Sequence, residues 1–236
     1  MKRTMIVVAL LAVFLLIPGC TGSSGILSAF PAAAEDVARP EAGTADLQEL
    51  IDKAEDEGEV IIKPGTYTIS EPLKIENKKK LSIKGEGNVT ILGENIDRQI
   101  FMISGCENIR LENIRARHKS NSGSEDKKVF EKRSGSVVDI EDTGRAELLN
   151  CELEGCGVYG IYAVDTEEID ITGCYVHHNS WMAFGFRAQR GVMNVSINNC
   201  TVTNNADFVE KEGSVNIQLN GQNVIKFNNA EGYKSR

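Results

Sequence analysis

The sequence predicts an all-β solenoid of about six or seven coils, with a short capping α-helix at its N-terminal end. Three observations predict this fold class: an apolar pattern recurs along the chain, asparagine occupies the same site in most copies, and glycine is abundant at 22 residues. The 236 residues are 41% hydrophobic, which suits one sizeable core and excludes a disordered chain. The formal net charge of -8 argues against nucleic acid as a partner, because phosphate-binding surfaces need clustered Lys and Arg.

The N-terminus predicts export. Two basic residues precede an uninterrupted apolar run over 5–17, and runs of roughly 7–15 apolar residues are secretory, whereas a membrane span needs about 18. The tetrapeptide Ile17-Pro18-Gly19-Cys20 resembles the lipobox of bacterial lipoproteins. This resemblance implies a signal peptide over 1–19, diacylglycerol on Cys20, and a lipoprotein of the cell envelope that the lipid bilayer holds through an N-terminal acyl anchor. An ordinary secretory cleavage and an uncleaved anchor are the alternatives.

Residues 20–45 carry the predicted lipidated Cys and a flexible tether, since Gly, Ser, Ala and Pro occur there without sustained periodicity. As a flexible coil this segment spans on the order of 25–30 Å. The signal peptide carries two basic residues, so its removal leaves a more acidic chain that anionic headgroups repel. The tether is therefore expected to hold the folded domain, residues 46–236, away from the membrane surface.

The first predicted element of that domain is a helix over 46–57. Asp46 is placed to cap its N-terminus, with Glu49 three residues later, and Gly58 ends it. An apolar stripe at helical spacing gives the helix one face to bury, and its members are Leu47, Leu50, Ile51 and Ala54. Short strands are predicted next at 60–62 and 67–69, with a Pro-Gly turn between them.

The rest of the chain repeats one hexapeptide pattern of alternating apolar residues. The aligned copies are 109–114, 146–151, 169–174, 195–200 and 225–230. Their second apolar residue recurs after 23 to 37 residues, and the shortest interval is close to the minimum for one coil of three short strands. Periods of about 20–30 residues with two-residue alternation indicate a solenoid rather than a sandwich.

Two columns of equivalent residues support the alignment. The fifth position holds the predicted asparagine ladder, with Gly173 as the exception: Asn113, Asn150, Asn199 and Asn229. Asparagine tolerates the left-handed backbone of a tight turn, and stacked asparagines can hydrogen-bond from coil to coil. The sixth position holds small apolar residues that are expected to point inward: Ile114, Cys151, Cys174, Cys200 and Ala230.

Cysteine counting leaves two arrangements open. Of six cysteines, five remain after Cys20 is set aside, and an odd number cannot all pair internally. Cys151, Cys174 and Cys200 are expected either as a buried, reduced ladder or with one disulfide, Cys151–Cys174 or Cys174–Cys200. A zinc site is not predicted, because no paired Cys-x-x-Cys occurs.

These features together resemble the right-handed parallel β-helix of the pectin lyase-like superfamily. The resemblance covers 46–236 and rests on the leading helix, the entry segment 60–67, the asparagine ladder and the Asn-Cys turns. It implies the fold and leaves the function open, because this fold carries lyases, hydrolases, adhesins and inert repeats.

A candidate groove lies on the outward face of the strands that precede the asparagine turns. Its residues are Asp139, Glu141, Tyr162, Arg187 and Gln218. Stacked coils are expected to place Asp139, Tyr162, Arg187 and Gln218 about 4.8 Å apart in succession, so that they contact successive parts of one extended glycan. An ordinary solvated face is the alternative.

The expected function is a binding or scaffold module, for polysaccharide or for a protein partner. The alternative is a polysaccharide lyase or glycoside hydrolase, and whether the protein is an enzyme stays open. Lyases of the superfamily hold calcium with clustered carboxylates and use Arg or Lys as base, and its polygalacturonases use three close Asp residues. Neither signature is present, and Arg187 lies two coils, roughly 10 Å, from Asp139. No catalytic residue and no cofactor are assigned.

The three histidines and the C-terminal end complete the predictions. His118 and His178 occupy equivalent sites with one coil between them, and the sequence favours surface turns over metal ligation for these two and for His177, so no metal is predicted. The polar insertion 119–135 is interpreted as a decoration or a lid. The exposed last coil needs a cover, either the tail 231–236 or a second copy in an end-to-end homodimer.

Overall fold

The computed structural model describes residues 44–119, 135–155 and 158–228. The predicted signal peptide, Cys20, most of the tether, Cys156, Asn229 and the tail 231–236 lie outside the described residues.

One helix, α1 (Thr44–Lys53), lies at the N-terminal side of the solenoid. It begins two residues before the predicted start and ends four residues before the predicted end. The early end has a physical cause: the carbonyls of Asp56 and Gly58 accept hydrogen bonds from Lys80 and Ser82 of the next coil. Residues 54–58 therefore form a bend and a turn instead of a further helical turn, and the first strand begins at Glu59. Leu47 and Ile51 are buried against the first coil, as the stripe predicted.

Three parallel sheets run along the solenoid axis. The first sheet contains β1 (Glu59–Ile62), β4 (Lys80–Gly85), β7 (Asn108–Glu112), β10 (Arg145–Leu149), β13 (Glu168–Thr172) and the C-terminal halves of β15 (Met182–Asn198) and β17 (Asp207–Asn220). The second contains β2 (Gly65–Ile69), β5 (Val89–Gly93), β8 (Arg115–His118), β11 (Glu152–Glu154), β14 (Tyr175–His177), β16 (Thr201–Thr203) and β18 (Val224–Lys226). The third contains β3 (Leu73–Glu76), β6 (Phe101–Ser104), β9 (Val138–Glu141), β12 (Tyr159–Val164) and the N-terminal halves of β15 and β17.

The chain visits the three sheets in turn, so each coil contributes one strand to each sheet and lies in register on the coil before it. This gives about six turns of an all-β parallel solenoid, and the predicted fold class is confirmed. The core is built from columns of apolar side chains that occupy the same position on successive coils. One such column on the first sheet runs Val60, Ile83, Leu111, Leu148, Ile171, Ile197 and Leu219. Each fully buried aliphatic member stabilises the fold by about 1.5–3 kcal/mol.

The turn between the first and second sheets has the left-handed backbone that the asparagine pattern predicted. Asn113, Asn150 and Asn199 have φ values of 55°, 52° and 52°, and Gly173 has 64°. The exception at Gly173 is explained by packing, because a Cβ there would lie 2.4 Å from Oδ1 of Asn150. Asn199 likewise accepts a hydrogen bond from the backbone of Gln222, at 2.9 Å. Asn150 Oδ1 and Asn199 Oδ1 therefore face Gly173 and Gly221 of the next coil. The position after Asn199 in this ladder belongs to Gly221, so the prediction of Asn229 there is wrong.

An asparagine ladder does exist, at the corner between the second and third sheets. Asn179 Nδ2 donates to Asn205 Oδ1 at 2.8 Å, and Asn205 Nδ2 donates to Asn228 Oδ1 at 2.8 Å. The backbone N–H groups of Asn179 and Asn205 donate to the same two oxygens at 3.1 Å. Asn179 and Asn205 are completely buried. This ladder ties three successive coils together.

The cysteines at the sixth position are buried and reduced. Cys151, Cys174 and Cys200 carry free thiols on three successive coils, and Cys106 is a further buried free thiol. Hydrogen bonds to Cys151 and Cys200, together with burial, raise the pKa of Cys174 well above its usual value. Of the two arrangements left open by the sequence, the structure has the reduced ladder.

Candidate functional site

The predicted groove residues lie on the outer face of the third sheet, with one exception. Tyr162 on β12 is in register with Asp139 on β9, so these two share a column. Val164 on β12 is in register with Glu141 on the preceding coil and with Arg187 on the following coil. Glu141 and Arg187 therefore belong to the neighbouring column and are two coils apart. The predicted single file of residues is therefore two adjacent columns.

Gln218 was placed wrongly. It lies on the first sheet opposite Ser196, whereas the groove positions beside Gly185 and Arg187 belong to Glu210 and Glu212 of β17. The error comes from the N-terminal half of β17, which is polar and has Lys211 opposite the inward-facing Phe186. This half lacks the apolar alternation that predicts a strand. The apolar residues after 214 were therefore aligned with the groove strand in its place.

Asp139 is mostly buried at one end of this face. Gln99 Nε2 donates to Asp139 Oδ2 at 2.6 Å, while Oδ1 has no hydrogen-bond partner in the described part of the chain. Burial raises the pKa of Asp139 above its ordinary value, and the nearby Glu141 carboxylate adds to the shift. Asp139 is thus a mostly buried carboxyl group whose pKa is raised by burial, although hydrogen bonds from Gln99 and Ser136 oppose that shift.

Two tyrosines pack side by side over a glycine. The rings of Tyr159 and Tyr162 are stacked with their centroids 5.0 Å apart. A Cβ on Gly185 would lie 2.7 Å from Cε1 of Tyr159 and 2.8 Å from Cδ2 of Tyr162, so only glycine lets both rings lie this close to the sheet. The guanidinium carbon of Arg187 is 5.7 Å from the Tyr162 centroid, within the range of a cation–π contact.

Glu210 joins a tryptophan to the tyrosine pair. Its Oε2 accepts hydrogen bonds from Tyr159 Oη at 2.8 Å and from Trp181 Nε1 at 3.4 Å. Burial and the Glu210 carboxylate hold the pKa of Tyr159 well above its usual range, so the phenol keeps its proton and donates. Trp181 is 54% exposed. We call Tyr159, Tyr162, Trp181, Arg187 and Glu210 the aromatic face.

The sequence carried partial signals for the missed members of this face. Trp181 is the single tryptophan of the chain. Tyr159 lies three residues before Tyr162, a spacing at which simple alternation would point the two side chains to opposite faces. In β12 both Gly160 and Ile161 are buried, and this irregularity brings both tyrosines outward.

A second polar region lies at the corner between the third and first sheets. A groove of about 580 Å³ is lined there by Asp142 and Asp165, which follow strands of the third sheet, and by Arg190 and Met193 of β15, among others. Arg190 Nε lies 2.8 Å from Asp165 Oδ2, and the guanidinium also pairs with Asp142. Two backbone N–H groups, of Gln189 and Arg190, donate to Asp165 Oδ1 at 2.6 and 2.9 Å. The two aspartates are therefore neutralised within the protein, and the aromatic face is the better candidate.

The three histidines occupy two separate places in the structure. His118 is buried by itself and its Nε2 donates to the carbonyl of Arg98 at 2.8 Å; burial lowers its pKa. His177 and His178 instead lie beside Glu154 on the outer face of the second sheet, with one ligand atom from each within 4.8 Å of the others. His118 and His177 are both buried and lie in strands, so the interpretation of the histidines as surface turn residues is wrong for these two.

Parallel coils of three strands, stacked in register around one apolar core, define the class of β-helix solenoids. The model of a family described as a right handed beta helix region matches residues 58–230, and the chain belongs to this family. A solved structure, ORF18 of Geobacillus virus E2, is similar with a TM-score of 0.59 and 15% identity over 79% of this chain. At this identity the likeness concerns the fold alone, and this chain spans only 38% of the viral protein.

Two further findings concern related sequences and membrane-spanning helices. No curated protein sequence matches this chain significantly. Among the residues that the structure describes, no helix is long and apolar enough to cross a bilayer.

Proposed function

We propose that the protein is an exported cell-envelope lipoprotein whose β-helix binds polysaccharide through the aromatic face. The observation that carries this proposal is the grouping of a half-exposed tryptophan with two stacked tyrosines, bordered by Arg187 and Glu210. Aromatic rings offer flat apolar surface to the C–H faces of sugar rings, and their polar ends and neighbouring charged groups hydrogen-bond to hydroxyls. The resemblance of the sequence to the pectin lyase-like superfamily would agree with such a ligand.

The shape of the face suits an extended chain. Asp139, Tyr162, Gly185 and Glu210 stand in one column on four successive coils, and coils are spaced by about 4.8 Å. The column is thus roughly 14 Å long, with the second column of Glu141, Arg187 and Glu212 beside it. Arg187 Nε pairs with Glu212 at 3.3 Å, which orients the guanidinium without burying it. A row of fixed polar groups along one axis favours a linear polymer over a compact ligand.

The anchor agrees with this function. The lipobox-like segment ending at Cys20 would attach the chain to the bilayer, and the tether would present the solenoid to polymers outside it. The acidic mature chain is repelled by anionic lipid headgroups, which favours a domain held off the surface.

A hydrolytic activity is the second candidate, and Asp139 is the observation that favours it. A general acid of a glycoside hydrolase needs a raised pKa, and burial supplies one here. Glu141, two residues further along β9, is the nearest second carboxylate of the face. Arg187 is already engaged with Glu212 and Tyr162, so the arrangement favours acid catalysis over a lyase reaction with Arg187 as base.

A glycan-array screen of the purified protein, followed by calorimetry on any hit, tests the proposal. Trp181→Ala should weaken binding by at least tenfold, because it removes the most exposed ring of the face. Phe227→Ala is the matched control, since Phe227 is 61% exposed but lies on the last coil near the second sheet. Equal affinity in both variants would contradict the proposed face. Release of reducing ends from the bound polymer, abolished by Asp139→Asn, would establish the hydrolase instead of the binder.

A further inference from the structure

The outer face of the second sheet brings two consecutive histidines together. Successive residues of a strand point to opposite faces, so adjacent side chains normally diverge. His178 follows the last residue of β14 and has a φ of 58°, which breaks this alternation. As a result the Nδ1 atoms of His177 and His178 face each other at 2.6 Å. Glu154 is in register with His177 on the neighbouring coil, which puts its carboxylate beside the pair.

A buried carboxylate orients His177. Glu152 Oε1 lies 3.2 Å from His177 Nε2, and both residues are almost completely buried. A carboxylate accepts and does not donate, so the imidazole proton of His177 is assigned to Nε2, and its Nδ1 accepts a hydrogen bond from Nδ1–H of His178. A metal ion bound to both Nδ1 atoms would displace that proton to solvent or to Nε2 of His178. Tyr175 stacks on the His177 ring with centroids 3.9 Å apart and restricts its rotation. A histidine held by a carboxylate on one nitrogen, with the other nitrogen directed at further ligands, is the usual arrangement at protein metal sites.

We propose that Glu154, His177 and His178 bind a divalent transition-metal ion of the Zn²⁺ class. Bonds of about 2.0–2.2 Å require ligand atoms about 3–3.5 Å apart in a tetrahedral site. The three atoms already lie within 4.8 Å of one another, and the two imidazole nitrogens need to separate by less than about 1 Å. Glu154 and His178 are only partly buried, so the ion can enter from solvent and a fourth position is left for water.

The surrounding charges select the class of metal. Arg115 lies 3.1 Å from Glu152 and 3.2 Å from Glu154, and Arg117 is in register with Glu154 on the preceding coil. The two guanidinium groups balance the two carboxylates, so the site has no excess negative charge. Ca²⁺ and Mg²⁺ depend on several oxygen ligands, whereas imidazole nitrogens suit Zn²⁺, Co²⁺, Ni²⁺ and Cu²⁺. This site is on a different sheet from the aromatic face and is independent of the proposed function.

Titration of the metal-free, untagged protein with Zn²⁺ by calorimetry, and with Co²⁺ by visible absorption, tests the proposal. One equivalent should bind, with Co²⁺ giving the absorption bands of a low-symmetry site. His178→Ala and Glu154→Gln should each weaken Zn²⁺ at least a hundredfold, and Glu152→Gln should weaken it by about 10–100-fold because that change removes only the orienting carboxylate. Glu147→Gln, a carboxylate on the first sheet, is the matched control and should leave affinity unchanged.

Melting curves without metal show which variants fold. His178→Ala and Glu154→Gln alter partly exposed side chains, so at least one folded variant is expected for the comparison. Absence of stoichiometric Zn²⁺ binding by the wild type overturns the proposal. So does Zn²⁺ affinity that is unchanged in a folded His178→Ala protein, or a preference for Ca²⁺ over Zn²⁺.

Discussion

The buried asparagine ladder should be a main source of stability for the C-terminal coils, and Asn205 is its central member. The Asn205 amide donates to Asn228 Oδ1 at 2.8 Å and to the carbonyls of Val176 and Thr203 at 3.1 and 3.2 Å. Its Oδ1 accepts from the backbone and side chain of Asn179. Its two amide protons are shared among three acceptors and its oxygen accepts twice, which amounts to four full hydrogen bonds. All of these contacts are buried except the part-buried one to Asn228.

Asn205→Ala should therefore lower the free energy of unfolding by about 4 kcal/mol, at about 1 kcal/mol for each hydrogen bond. The substitution also leaves two N–H groups of Asn179 without their acceptor, and Asn179 is completely buried. The loss of about 4 kcal/mol is therefore a lower estimate. Asn216→Ala is the matched control: Asn216 is exposed and its side chain donates only to Asn194 Oδ1, at 3.0 Å, among the described contacts. That control should change stability by less than about 0.5 kcal/mol.

Urea unfolding followed by circular dichroism measures both variants under identical conditions. The slope of the transition checks whether the C-terminal coils separate from the rest, because solenoids lose cooperativity when one interface is weakened. If Asn205→Ala is within about 1 kcal/mol of Asn216→Ala, then the ladder amides exchange freely with water and the reasoning is refuted.

Two further predictions concern the aromatic face. Gly185→Ala places a methyl group 2.7 Å from Tyr159 and 2.8 Å from Tyr162, so both rings must move. We expect glycan affinity, measured by calorimetry, to fall about tenfold, which is about 1.4 kcal/mol. Unchanged affinity would show that the position of the rings does not matter for binding. Burial raises the folded-state pKa of Asp139, so its contribution to stability is present in full below its unfolded value of 3.8 and is lost as pH rises through the folded value. Asp139→Asn should remove this pH-dependent loss of stability. The urea midpoint, measured from pH 3 upward, should therefore decline less with pH in the variant than in the wild type. An equal decline in both proteins would contradict the raised pKa of Asp139.

The sequence predicted those features that depend on local backbone preference and alternation. Asn113, Asn150 and Asn199 mark left-handed turns because asparagine tolerates that conformation wherever it occurs. The apolar columns follow from two-residue alternation, which needs no knowledge of neighbouring coils.

Features that depend on how one coil meets the next were not predictable in this way. Asn179 and Asn205 occur in short polar segments that resemble ordinary turns, and only the stacking of coils buries them. Gln218 was misplaced because the strand that truly continues the groove is polar. The meeting of His177 with His178 depends on one dihedral angle, and sequence periodicity assumes the opposite geometry.

The last described coil links ligand binding to the local order of strand β17. The core column that begins at Val60 ends at Leu219, which is 51% exposed, and Ile225 and Phe227 nearby are exposed as well. Among the described residues β17 pairs only with β15, so it has a strand neighbour on one side, and its amide hydrogens should exchange faster than those of inner strands. Glu210 belongs to this strand and joins Tyr159 to Trp181. A ligand that engages Glu210 would therefore also order β17, and part of its binding free energy would offset the loss of motion in that strand.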